Sequence, residues 1–123
     1  MNESILTSIK KALGIQEEYE QFDPDIVMHI NTALSILTDL GVGPSEGFFI
    51  TDKTASWSDF VPNSKRIESI KSYVVLKVRL LFDPPTSSAV LDSMNRLISE
   101  LEWRINVIVD PGEQGEEVNQ NGS

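Results

Sequence analysis

The chain contains no cysteine and one histidine, His29, in 123 residues. The first absence excludes disulfides, thiolate metal sites and any Cys–His nucleophilic pair, and the second excludes a histidine-rich metal centre. No stretch approaches the roughly 20 apolar residues of a membrane span. The start, MNESILTSIKKALG, lacks the basic flank and continuous apolar run of a signal peptide. A soluble intracellular protein is the reading that follows. Basic residues are scarce, ten against nineteen acids for a net charge of −9. No cluster of Lys/Arg interleaved with aromatics is present, which argues against a nucleic-acid-binding surface.

Catalytic patterns are missing as well. Gly41, Gly43 and Gly47 follow a helical pattern rather than a strand, without the Gly-Lys-Ser/Thr of a phosphate loop. No serine sits in a strand–turn–helix G-x-S-x-G context. Glu17, Glu18 and Glu20 read as a solvated face, and Asp23-Pro24-Asp25 as a helix start with Asp23 at the N-cap. His29 flanks an apolar helical face and is expected to be half-buried and hydrogen-bonded. No catalytic, cofactor-binding or metal-binding residue is assigned, no cofactor is called, and an enzyme is not expected.

What is present is helical periodicity. Ile5, Leu6, Ile9 and Leu13 share one face of a first helix, capped by Asn2 or Ser4 and closed by Gly14. Lys10 and Lys11 fall in its last turns, where cations suit the dipole. Residues 15–22 form a connector anchored by Tyr19 and Phe22. A second helix carries Ile26, Val27, Ile30, Ala33, Leu34, Leu37 and Leu40 on one side. From Lys65, Ile67, Ile70, Val74, Val78 and Leu81 define one stripe, and Tyr73, Leu76 and Leu80 a second, so this helix is expected at the centre, packed from both sides. Asp83-Pro84-Pro85 is a structural corner: two prolines remove two amide donors, and Pro84 disfavours helical geometry at Asp83. Thr86, Ser87 and Ser88 can cap the next helix, on which Val90, Leu91, Met94, Leu97, Ile98, Leu101 and Ile105 cover a broad face.

The predicted fold is therefore all-α: a small bundle of about four helices near 3–13, 24–40, 64–82 and 87–106, forming one domain over 1–109. Residues 41–63 are irregular by composition, and Phe48–Thr51 with Thr54–Phe60 could pair as a short β-hairpin. The end, DPGEQGEEVNQNGS, has one aliphatic residue, Val118, and no aromatic, so 110–123 is expected to be a disordered acidic tail.

Charge is unevenly spread. Residues 15–62 carry nine acids against Lys53 alone, a net of −8. Residues 63–109 carry seven bases against five acids, a net of +2, and the tail carries −4. Most of this is solvated surface, but an acidic and a weakly basic flank also suit head-to-tail assembly. Candidate interface residues are Trp57 and Phe60 in the irregular loop, Trp103 and Arg96 on the polar side of the last helix, and Asp110, Glu113, Glu116 and Glu117 in the tail. For each of the three aromatics, Trp57, Phe60 and Trp103, a local cluster is an equally good reading.

The run EEYEQFDPDIVMHIN, the loop containing WSDF, and IKSYVVLKVRLLFDPPTSSAVLDSMNRLISELEWRINV resemble the head–tail connector (adaptor) proteins of tailed bacteriophages and prophages. The most telling pieces are the Leu80–Pro85 corner and the Glu100–Arg104 run, and the resemblance covers residues 5–109. It implies a structural virion protein forming a ring under the portal vertex and joining the head to stopper or tail-completion proteins. The implied partners are the portal, the stopper and neighbouring copies, with assembly in the host cytoplasm and no membrane contact. DNA would pass through the ring without specific binding, which fits an acidic channel wall. The alternative is a small helical protein-binding adaptor or regulatory module without catalytic activity.

Overall fold

The computed structural model describes residues 3–62 and 65–109, with side chains on the last helix through Asn106. Five helices follow in order: α1 (Ile5–Ala12), α2 (Asp23–Asp39), α3 (Trp57–Phe60), α4 (Ile67–Phe82) and α5 (Ser88–Val109). The all-helical expectation holds. α4 packs against both α2 and α5, and α1 packs against α2 and α4. The two-stripe reading of α4 is thereby largely explained: Ile70, Tyr73, Val74 and Val78 are buried and Ile67, Leu76 and Leu80 half-buried, but Leu81, expected in the first stripe, is exposed where the helix runs out toward the corner. Tyr73 donates from its hydroxyl to Glu102 Oε2 at 2.7 Å, tying α4 to α5. Burial and then the neighbouring Glu102 carboxylate raise the phenol pKa above its ordinary value, so the group stays a neutral donor.

Helix ends follow from local chemistry. Ser4 caps α1 by accepting from Thr7 N at 3.1 Å. Both α1 and α2 close in Schellman motifs. Ile15 N donates to Lys10 O and Gly14 N to Lys11 O; Val42 N donates to Leu37 O and Gly41 N to Thr38 O. Ser87 caps α5, accepting from Val90 N at 3.3 Å, and the Asp83–Pro85 corner separates α4 from α5 as read from the prolines.

Four expectations are corrected. Asp23 is not the N-cap of α2: the cap is Phe22, without a side-chain hydrogen bond, and Asp23 lies within the helix. Its carboxylate instead meets the ammonium of Lys10, with Oδ1 2.9 Å from Nζ. Among the described residues there is no hairpin in 41–62, because its amides find other partners. Asn31 Nδ2 donates to Ile50 O at 3.0 Å and Asn31 Oδ1 accepts from Ile50 N at 2.8 Å, so a side chain of α2 takes the place of a paired strand. Ile5 N donates to Ala55 O and Trp57 N to Glu3 O, stitching the loop to the N-terminal segment. Third, the apolar face of α5 is narrower than expected, with Met94, Ile98, Leu101 and Ile105 buried but Val90 and Leu97 exposed. Fourth, His29 is half-buried as expected, but among the described residues its neighbour is the Phe82 ring, centroids 6.4 Å apart, rather than a hydrogen-bond partner.

The short helix α3 carries a capping box: Ser56 accepts from Asp59 N while Asp59 Oδ2 accepts from Ser56 N. It drops Trp57 and Phe60 into the core cluster with Ile5, Ile9 and Ile50. Gly43 lets Phe60 in, since a Cβ there would stand 2.5 Å from the ring.

Candidate functional site

Trp57 and Phe60 have no exposed surface. They leave the set of interface candidates, for a physical reason: the capping box and the loop's ties to Glu3 and Asn31 turn both rings inward, where Trp57 Nε1 donates to Ser8 Oγ at 2.9 Å. Asp110, Glu113, Glu116 and Glu117 lie outside the described residues. Trp103 behaves as its helical position requires. The buried residues of α5 recur at three and four residues, and Trp103 falls on the opposite side, 67% exposed. Arg96 shares that side, exposed, with Nη2 3.5 Å from Ser93 Oγ. Glu100 and Arg104 pair one turn apart at 2.6 Å, a contact worth little at such exposure.

A second surface lies in the groove between α4 and α5, lined by Val75, Leu76, Leu97 and Leu101 with Lys71 and Ser72 at its edge. Leu97 was expected in the core; it forms one wall of this groove instead.

The third surface is a row of rings where the connector, the start of α2 and the end of α4 meet. Tyr19 meets Phe22 edge-on at 5.5 Å, and Phe22 meets Phe82 edge-on at 5.3 Å. Tyr19 and Phe22 keep 47% and 39% of their surface in solvent. The connector was expected to use these two rings as anchors, but their exposure was not legible: the 19–22 spacing does not say which side faces water. Lys10 holds the row in place from below. Its Nζ is buried and donates to Glu17 O at 2.9 Å and Tyr19 O at 2.7 Å while meeting Asp23.

These three are exposed apolar surfaces that the fold presents. Among the described residues no group of three or more His, Asp or Glu could hold a metal ion, and no helix is long and apolar enough to cross a membrane. The model of the phage connector protein family matches residues 5–112. The chain belongs to that family. Its members are structural, non-catalytic phage proteins, virion components that interact with other head and tail proteins. No curated protein and no solved structure matches the chain.

Proposed function

We propose that copies of this chain form a ring beneath the portal and join the phage head to the stopper or tail-completion protein. Family membership over residues 5–112 supports the reading. Within the chain, the observation that carries it is Trp103, a large apolar side chain exposed on the outer face of the longest helix. The uneven charge, −8 over 15–62 and +2 over 63–109, suits a head-to-tail contact between neighbours. The acidic residues of 110–123 add a segment complementary to a basic partner surface.

Electron microscopy of the protein mixed with the portal of the same phage tests this. Symmetric rings on the portal vertex are the expected result; one or two copies per portal would instead identify an adaptor of fixed low stoichiometry. Trp103→Ala is expected to leave the monomer's melting temperature within about 2 °C of wild type, as for surface changes generally. The same variant should abolish or sharply reduce ring density. A melting temperature lowered by more than that would place Trp103 in the core, and rings formed at full occupancy would remove it from the interface.

A further inference from the structure

The edge built by Tyr19, Phe22 and Phe82 has a charge pattern that selects its occupant. Glu18 and Glu20 flank Tyr19, Asp25 follows Phe22 by three residues, and Asp83 follows Phe82, all of them exposed. The cations nearby are largely spent: Lys10 is buried against Asp23, and Arg79, one turn before Phe82, donates to Ala12 O at 3.1 Å. Lys11 is exposed on the adjoining end of α1, and Lys53, also exposed, lines a cleft with Glu20 and Asp23 beside Asp52. Half-exposed rings set among carboxylates match the guanidinium group, which stacks on aromatic faces and pairs with carboxylates in one geometry. Ammonium gains less from such a site because it is more strongly hydrated and has no planar face. Nucleic acid and anionic lipid are repelled by the same carboxylates.

We infer that this edge is the docking site for a different phage protein, which presents arginine side chains to it. A second copy of this chain is a poor occupant. Of its four arginines, Arg79 is held on Ala12 O and Arg66 is engaged within the chain, and Arg96 and Arg104 lie on the opposite-facing side of α5 with Trp103, beside Ser93 and Glu100. The rings are held ready by their edge-on contacts, and the connector beneath them is pinned by Lys10, so little ordering is needed on docking. The inference rests on the family's interaction with other head and tail proteins and does not need the ring.

The test titrates the purified head and tail proteins of the same phage against the wild-type protein and two double variants. Self-association of each variant is followed on the same samples by light scattering. Tyr19→Ser with Phe22→Ser removes the rings. Glu18→Lys with Glu20→Lys reverses the charge at exposed positions outside the core cluster, so it stays informative if the first variant is poorly folded. Each is expected to weaken binding of one partner at least tenfold at low salt, with self-association unchanged, and the charge variant to lose most of the wild-type salt dependence. Treating that partner with phenylglyoxal, which modifies arginine, should reproduce the loss. Undiminished binding by the charge variant, or a partner indifferent to phenylglyoxal, overturns the proposal. So does a loss of self-association in step with partner binding, which would assign the edge to a second copy.

Discussion

Replacing Lys10 by methionine is expected to lower stability by about 3 kcal/mol, the low end of what breaking a buried ion pair costs. Methionine keeps the length and apolar stem of the side chain, so the loss isolates the ammonium. Two carbonyl oxygens, Glu17 O and Tyr19 O, then lose their donor, and the Asp23 carboxylate loses its counter-charge. Lys10 is 2% exposed, so water cannot replace the ammonium without opening the fold. Asp23 keeps about a quarter of its side chain in solvent, which relieves part of its penalty and places the expected cost below the upper range. Its Oδ1 makes a close charge contact with Lys10 rather than a well-aligned hydrogen bond. In a domain of this size the change corresponds to a melting temperature lower by more than about 10 °C. Adding Asp23→Leu should recover part of the loss, because the stranded carboxylate goes, but the two carbonyls remain unpaired. Thermal melts followed by circular dichroism decide it. A single variant melting with the wild type would show that the connector is held by its other contacts.

Lys10 also marks where sequence reading stops. Its place in the last turns of α1 is legible from periodicity, and so is a favourable interaction with the helix dipole. Burial depends on a connector that folds back over it from Glu17 and Tyr19, and no local pattern encodes that return. Asp23 was misassigned for the same reason. Asp-Pro-Asp reads as a cap from neighbours in sequence, whereas its partner lies thirteen positions earlier on another helix. The four long helices were legible because their apolar spacing is local and repeats over several turns, and the Pro84-Pro85 corner because proline acts on its own backbone.

The segment 41–62 was illegible for the opposite reason. Its order comes from single long-range contacts, Asn31 to Ile50 and Trp57 to Ser8, each without a repeating pattern. The aromatic edge is intermediate. Tyr19 and Phe22 were recognisable as anchors, but Phe82 joins them only because α2 and α4 bring their opposite ends together. Composition located the rings, and packing alone made them a surface.

The two tryptophans should separate most sharply under truncation. Trp57→Ala is expected to cost about 3–5 kcal/mol, the range for removing a fully buried aromatic side chain. The indole is 0% exposed within the main cluster, and its loss would leave a cavity bounded by α1 and the loop, neither able to collapse without breaking the Ser4–Ser56 and Glu3–Trp57 ties. It would also strip Ser8 Oγ of the Nε1 donor. The Lys71 ammonium, 5.9 Å from the ring centroid, adds little, because it is also paired with Glu3 at 2.9 Å and partly solvated. Trp57→Phe keeps most of the volume and loses the hydrogen bond, so it should cost about 1–2 kcal/mol. Urea denaturation of Trp57→Ala, Trp57→Phe and Trp103→Ala in parallel measures the series. Against domains of about 5–15 kcal/mol total stability, the first change threatens folding outright while the third should be silent. Fluorescence supplies a check that does not need folded Trp57→Ala: in Trp103→Phe the remaining indole should emit at short wavelength and resist quenching by iodide. Red-shifted, freely quenched emission from that variant would show Trp57 to be solvent-facing and would return the loop to the set of docking surfaces.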